Sequence, residues 1–172
     1  MLTLPIPDIA IKNIYNLKPK QLTDMNVTLL LMDLDNTLAK YHAVSPSVSL
    51  RNWIDGLKMA GIEPFIFSNT RGSGAERFAG ALGVQYIKHA KKPNTKILLE
   101  LLRKKGVKPE NTAIIGDQVY TDILCGARAG ITTIATRPIS MANPLHLIRY
   151  GAERPFRYAY EIRLSKSKKK EQ

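Results

Sequence analysis

Cysteine is almost absent from this sequence, since Cys125 is the only one in the chain. A single cysteine excludes an internal disulfide and any metal site built from several thiolates. Long apolar runs are lacking too, because no stretch approaches the roughly 20 residues that cross a bilayer. The first residues show no basic segment followed by an apolar one, so we expect no signal peptide and a cytoplasmic protein.

Acidic residues are scarce: 14 Asp and Glu stand against 26 Lys and Arg, which gives a formal net charge of +12. A surface of this sign favours polyanions or anionic membranes. The sequence has no aromatic-rich strand motif and no recognition-helix signature, so we expect no specific nucleic acid as partner. Its length of 172 residues and 44% hydrophobic content suit one globular domain with a proper core.

What the sequence does contain is an alternation of strand and helix patterns. Short apolar runs alternate with segments whose apolar residues recur at helical spacing, which predicts βαβ units. We therefore expect an α/β fold: a single Rossmann-like domain with a parallel five-stranded sheet and helices on both faces. The expected strands are 27–32, 62–67, 84–87, 112–116 and 131–135.

The ends of the chain depart from this rhythm. We separate an N-terminal arm of residues 1–26 from a core at 27–140, an extension at 141–164 and a basic tail at 165–172. Prolines break up the arm, which either packs on the domain or makes shallow contact with a membrane. The extension is expected to hold one short helix at 143–150, and the tail is expected to be disordered.

Polar residues follow the predicted strands in a particular order. Asp33 and Asp35 end the first strand, and their i, i+2 spacing points both carboxylates to the same side of an extended backbone. Two anions held so close need a cation between them. Because ligands collect at the carboxyl ends of parallel strands, the polar residues after the other strands belong to the same edge. These are Ser68 and Asn69, Lys92 at a helix start, and Asp117 with Asp122.

Each of these residues alone fits an ordinary turn or surface position, but together they predict a phosphoryl-transfer site. Asp33 would attack phosphorus in line and form an aspartyl-phosphate. Asp35 would protonate the leaving oxygen and later take a proton from water. Asp117 would complete an all-oxygen site that suits Mg²⁺ better than zinc.

The remaining residues would support this chemistry. The Ser68 hydroxyl and the Lys92 ammonium would hold the transferring oxygens, and we group Asn69 with them as phosphate-binding. Asp122 would order the waters of the metal or orient Lys92, and Thr37 is counted with it as a supporting residue.

This order of motifs resembles that of the haloacid dehalogenase (HAD) superfamily of phosphatases. It looks closest to the YqeG-type class IIIA group, whose near relatives include phosphatidylglycerophosphate phosphatases. The resemblance covers about residues 12–140. The segments that carry it are Asp33-Leu34-Asp35-Asn36-Thr37-Leu38, Phe67-Ser68-Asn69, Lys92-Pro93 and Gly116-Asp117-Gln118-Val119-Tyr120-Thr121-Asp122.

The resemblance implies the same roles residue by residue. Asp33 is implied as nucleophile and metal ligand, and Asp35 as acid/base whose main-chain carbonyl also binds the metal. Ser68 and Lys92 are implied on phosphate, with Asp117 on Mg²⁺. Lys91 is a second candidate for the lysine, although the residue directly before the proline is the better match.

Enzymes of this superfamily usually insert a cap domain before or after Ser68, and neither interval here has room for one. We therefore expect an HAD-type fold without a cap, whose open site suits a phosphate on a large or surface-bound molecule. The leading hypothesis is a Mg²⁺-dependent phosphatidylglycerophosphate phosphatase, cytoplasmic or peripheral at the inner face of an anionic membrane. One alternative is a soluble nucleotide or sugar-phosphate phosphatase. Another is a receiver-like or basic nucleic-acid-binding protein without hydrolase activity.

Overall fold

A computed structural model describes residues 4–41, 43, 45–70, 74–141 and 144–168. Its strands are β1 (Ile9–Ala10), β2 (Leu29–Met32), β3 (Glu63–Phe67), β4 (Gln85–Ile87), β5 (Thr112–Gly116) and β6 (Thr132–Ala135). Its α-helices are α1 (Pro19–Asp24), α2 (Val48–Met59), α3 (Gly74–Leu82), α4 (Lys96–Lys105), α5 (Leu124–Ala129) and α6 (Pro144–Lys168). A π-helical turn, Val119–Ile123, leads directly into α5.

The strands form one parallel sheet in the order β1-β6-β5-β2-β3-β4. The predicted α/β domain with a parallel sheet is confirmed, but the sheet has six strands instead of five. The additional strand, β1, comes from the arm and is only two residues long, too short to show any hydrophobic period. It is held beside β6 by the carboxylate of Asp8, which accepts hydrogen bonds from the backbone and hydroxyl of Thr133 at 2.9 and 2.8 Å.

The central strand β2 is buried on both faces, which explains its unbroken apolar run. Leu30 and Met32 pack with α2 and α3, whereas Leu29 and Leu31 pack with α4 and α5 on the other face. None of these four side chains is exposed to solvent. The sheet therefore has a separate apolar core on each side, and its carboxyl edge lies between them.

The described part of the arm packs on the domain. Leu17 and Leu22 are fully buried in the same core as α2, and the indole N–H of Trp53 donates to the carbonyl of Leu17 at 2.9 Å. This packing is driven by apolar burial, as in any other element of the fold.

The C-terminal region differs from expectation. Helix α6 runs for 25 residues through Pro155, so residues 165–168 of the expected disordered tail are helical, while 169–172 lie outside the described residues. Near its middle, α6 packs on the domain: Phe156 contacts the small cluster of Val119, Ile123 and Ala135, and its ring meets that of Tyr120 edge-on at 5.6 Å. These contacts are tertiary and leave no local signal in the sequence.

Along the described chain, β2 and β3 are joined by a loop and α2, and β3 and α4 are joined by α3 and β4. As expected, no cap domain is inserted in these parts of the chain. Despite the length of α6, none of the described helices is apolar enough over a sufficient length to cross a membrane.

Candidate active site

Three neighbouring strands bring the predicted site residues together. In the register of the sheet, Met32 of β2 lies between Ile66 of β3 and Ile115 of β5. The next residues along these strands therefore meet at one edge, where the Asp33 N–H donates to the carbonyl of Ile115 at 2.9 Å. Asp33, Ser68 and Asp117 are all at least 95% buried at this edge.

Lys92 is the cation of the site. Its Nζ lies 2.7 Å from Asp33 Oδ1, 2.6 Å from Asp122 Oδ1 and 2.8 Å from the carbonyl oxygen of Phe67. Burial alone would lower the pKa of Lys92, but the charges of Asp122 and Asp33 outweigh it and raise that pKa above its usual value. Lys92 is therefore a permanent cation, whereas Lys91 is exposed to solvent.

Asn69 contacts the backbone of the site lysine. Its Nδ2 donates to the carbonyl of Lys92, and its Oδ1 accepts from the Lys92 N–H, both at 2.9 Å. These two hydrogen bonds fix the position of Lys92 and leave the second Nδ2 proton of Asn69 for another acceptor. Ser68 is 1% exposed, and its Oγ accepts from the Thr70 N–H at 3.2 Å, a contact that still allows its own proton to be donated.

Thr37 bridges the carboxylates of Asp33 and Asp117. Its Oγ1 lies 3.2 Å from Asp33 Oδ2 and 3.2 Å from Asp117 Oδ1, and it accepts from the Asp117 N–H at 3.0 Å. Because a hydroxyl carries one proton, Thr37 can donate to only one of these carboxylates at a time.

Asp122 reaches the site from the π-helical turn and lies behind Lys92. Its Oδ2 accepts from the Gln118 N–H at 3.1 Å, while its Oδ1 contacts Lys92. A Cβ on Gly116 would collide with this carboxylate, so the glycine that ends β5 is required for the close approach.

An acidic cluster at this edge suits a metal ion. Oxygens of Asp33, Asp117 and Asp122 lie within 4.8 Å of one another. Burial, followed by the charges of Asp122 and Asp33, raises the pKa of Asp117 to about 8. Burial also raises the pKa of Asp122, although Lys92 opposes the rise. Carboxylate oxygens are the ligands of hard divalent cations, so the residues present fit such an ion.

The roles within this cluster can be ranked by geometry. Asp122 is fully buried behind Lys92, whereas Asp33 and Asp117 are 5% and 2% exposed, so Asp33 and Asp117 are the better candidates for direct ligands. Asp35 is not part of this carboxylate cluster: it is half-buried and lines a cavity of about 350 Å³ beside the site.

Sequence reasoning missed three residues near the site. Arg149 of α6 lies 3.6 Å from Asp117 Oδ2 and 3.9 Å from Oε1 of Glu153. Glu153 is buried and accepts from the Val119 N–H at 3.0 Å. Burial, together with the charge of Asp117, raises the pKa of Tyr41, which places this phenol within the field of the cluster. The i, i+4 spacing of Arg149 and Glu153 is a signal, but it indicates a helix pair and no site.

The fold and the site together define a parallel α/β protein with a carboxylate and lysine cluster at the carboxyl edge of its sheet. A family model described as HAD-hydrolase-like matches residues 89–138. The chain is 34% identical over 138 residues to "Probable phosphatase YqeG" of Bacillus subtilis, and the match spans 80% of each chain. The chain therefore belongs to the haloacid dehalogenase superfamily, in its YqeG-type class IIIA group of phosphatases.

Two further proteins are similar to this chain at lower identity. Phosphatidylglycerophosphate phosphatase 1 of Arabidopsis thaliana is 25% identical over 153 residues, which span 84% of this chain but only 44% of that protein. A cobalt-bound deoxy-D-mannose-octulosonate 8-phosphate phosphatase from Haemophilus influenzae shares the fold, with a TM-score of 0.54 and 22% identity over 65% of this chain and 69% of its own.

Proposed function

We propose that this phosphatase is a Mg²⁺-dependent phosphomonoesterase with Asp33 as nucleophile, and that its substrate is phosphatidylglycerophosphate. The observation that carries the proposal is the setting of Asp33. Its carboxylate lies between the Lys92 ammonium, at 2.7 Å, and the Thr37 hydroxyl, at 3.2 Å, beside a second buried carboxylate. This arrangement orients a carboxylate for attack on phosphorus and supplies a fixed cation beside it.

The proposed reaction has two steps, formation of an aspartyl-phosphate and its hydrolysis. The Asp33 carboxylate attacks phosphorus and forms an aspartyl-phosphate, while the bond from phosphorus to the leaving oxygen breaks and Asp35 donates its proton to that oxygen. Water then attacks phosphorus, Asp35 takes up the proton of the water, and the bond from phosphorus to Asp33 breaks to release inorganic phosphate. Ser68 and Lys92 hold the phosphoryl oxygens through both steps, and Lys92 does so by giving up one of the three acceptors that its Nζ contacts.

The metal has a defined place in this scheme. Asp33 and Asp117, with the main-chain carbonyl of Asp35, would hold Mg²⁺. The ion would supply positive charge to offset the carboxylates and the phosphoryl oxygens. The raised pKa of Asp117 supports this assignment, because a carboxylate that resists ionisation without a cation is a suitable partner for one.

Three observations support a lipid substrate. The named relative from Arabidopsis thaliana acts on phosphatidylglycerophosphate, the described chain contains no cap that would enclose a small substrate, and the net charge of +12 attracts the protein to anionic bilayers. The phosphomonoester of this lipid lies just above such a surface. Attachment would then be peripheral, at the inner face of the membrane.

The test is a comparison of substrates. Purified protein with Mg²⁺ is given phosphatidylglycerophosphate in anionic vesicles, nucleoside monophosphates and sugar phosphates, and released phosphate is measured with the Asp33→Asn variant as blank. We expect the lipid to be hydrolysed well above the soluble esters, with vesicle binding that weakens as salt rises. Faster cleavage of nucleotides without vesicle binding would instead favour the soluble phosphatase.

A further inference from the structure

A second cavity adjoins the one that Asp35 lines. It measures about 720 Å³ and lies between the arm and the loop at 137–139. Both cavities are lined by Ala39, Lys40 and Phe78, so they lie side by side. We call the second cavity the arm–loop groove and define it by Lys12, Tyr15, Lys40, Arg137 and Ile139, all of which line it.

The groove combines positive charge with apolar surface. Lys12, Lys40 and Arg137 contribute three cations, and none of the described residues that line it is acidic. Between these cations lie apolar side chains, of which Tyr15 is 39% and Ile139 is 45% exposed. Neither sugar hydroxyls nor inorganic phosphate would cover exposed apolar surface of this kind, whereas an anionic amphiphile would cover both features.

One wall of the groove is hydrogen-bonded to Asn36, the residue after Asp35. The fully buried Asn36 follows Asp35 directly, and its carbonyl accepts from the Ile139 N–H at 2.9 Å. The side-chain amide of Asn36 donates to the carbonyl of Ser140 at 2.9 Å and accepts from the Ser140 N–H at 2.8 Å. These three hydrogen bonds fix the loop that carries Arg137 beside the proposed acid/base.

This position determines what the groove can hold. In the proposed reaction the leaving oxygen takes its proton from Asp35, so the leaving group must extend away from phosphorus on the Asp35 side. The arm–loop groove lies next to the cavity that Asp35 lines. We propose that it holds the leaving group of the substrate, a glycerophosphodiester with the first carbons of its acyl chains; this inference rests on the proposed function.

In this arrangement the cations contact the phosphodiester, and Tyr15 and Ile139 contact the start of the acyl chains. The groove thereby provides the substrate selectivity that an enclosing cap provides elsewhere. A terminal phosphate on a lipid would reach Asp33 while its diester remained bound near Arg137.

The test uses charge reversal with a matched control. Arg137→Glu and Lys12→Glu alter the groove, whereas Arg103→Glu makes the same charge change on the exposed side of α4, which packs on the other face of the sheet. Substrates are short-chain phosphatidylglycerophosphate as monomers, the same headgroup in vesicles, and p-nitrophenyl phosphate. We expect each groove variant to lower kcat/KM for both lipid forms by about tenfold, equivalent to about 1.4 kcal/mol, through KM. The loss should be much smaller for p-nitrophenyl phosphate, and Arg103→Glu should match wild type.

A binding measurement separates this inference from the proposed function. Short-chain phosphatidylglycerol has the diester and chains but no phosphomonoester, so it should inhibit p-nitrophenyl phosphate hydrolysis, and Arg137→Glu should weaken that inhibition about tenfold. If the lipid phosphomonoester is not hydrolysed but this inhibition is seen, the groove assignment holds and the proposed substrate is wrong. If wild type is not inhibited, if Arg103→Glu behaves like Arg137→Glu, or if the losses appear only with vesicles, the groove assignment is overturned.

Discussion

Asp33 has two neighbours of opposite character, Lys92 on one side and Asp117 on the other. Lys92 is buried with three acceptors within 2.8 Å of its Nζ, and its pKa is raised by the charges around it. Asp117 contacts Thr37 at 3.2 Å and has the half-exposed Arg149 at 3.6 Å, and its pKa is raised to about 8. The chain thus supplies a permanent cation on the Lys92 side, whereas the Asp117 side has too little positive charge to keep its carboxylate ionised, a deficit that an exchangeable cation can make up.

The largest expected effect, a loss of turnover, comes from replacing Asp33, which lies between Lys92 and Asp117. Asp33→Asn preserves shape but removes the attacking charge, so kcat should fall by about three orders of magnitude or more. Phosphate release is measured on vesicles and on p-nitrophenyl phosphate, with circular dichroism as the control for folding. A folded variant that keeps more than a tenth of wild-type turnover would remove Asp33 from the role of nucleophile.

The next prediction concerns the Lys92 side. Lys92→Met leaves Asp33 and Asp122 buried without their cation, so the free energy of unfolding should fall by about 3–5 kcal/mol. Urea denaturation in the presence of chelator measures the change. The matched control is Lys104→Met, which breaks the exposed ion pair with Glu100 and should leave the free energy of unfolding almost unchanged. Equal losses in the two variants would mean that Lys92 is an ordinary surface cation in energetic terms.

A third prediction tests the Asp117 side, where removing the charged group should raise the free energy of unfolding instead of lowering it. Because its pKa in the folded protein is about 8, above the usual value of 3.8, the folded state without metal holds a proton that the unfolded state releases. Stability should therefore fall as pH rises between about 4 and 8. Asp117→Asn removes this charge, so at pH 8 with chelator the variant should exceed wild type by about 1–2 kcal/mol, with no such gain at pH 4.

Magnesium provides the complementary measurement for the same residue. Since a cation must displace the proton from Asp117, Mg²⁺ should raise the thermal midpoint of wild type more at pH 8 than at pH 5.5. The Asp117→Asn variant should lose most of this response. An equal response to Mg²⁺ in the variant would place the ion elsewhere.

The sequence is a good guide to the part of the site that lies on core strands. Asp33, Ser68 and Asp117 follow buried strands, and because parallel strands align their carboxyl ends, order along the chain translates into proximity. The order of polar residues also predicts Lys92 at a helix start, and the YqeG-type resemblance favours it over its neighbour Lys91.

Other features depend on contacts between distant parts of the chain. Asn69 precedes Lys92 by 23 positions, and nothing local shows that its amide will bond to the backbone of that lysine. Strand β1 forms only because β6 offers a free edge to pair with. Arg149 reaches Asp117 because the packing of Phe156 sets the position of α6. Tertiary packing decides each of these, and neither periodicity nor motif spacing records it.

The smallest predicted effect belongs to Arg149, a cation on the Asp117 side. It brings positive charge to Asp117 but at 3.6 Å and with its side chain 31% exposed, so its attraction is weak and partly screened. If the Asp117 side is reserved for an exchangeable cation, Arg149 competes with that cation. Arg149→Met should then tighten Mg²⁺ binding about two- to fivefold, measured as the concentration that half-saturates the rise in thermal midpoint without substrate.

Arg154→Met, on the same helix and exposed, is the control and should leave the Mg²⁺ requirement unchanged. Weaker Mg²⁺ binding in Arg149→Met would show that this arginine, through Glu153, organises the Asp117 side, and the contrast with Lys92 would then be one of degree.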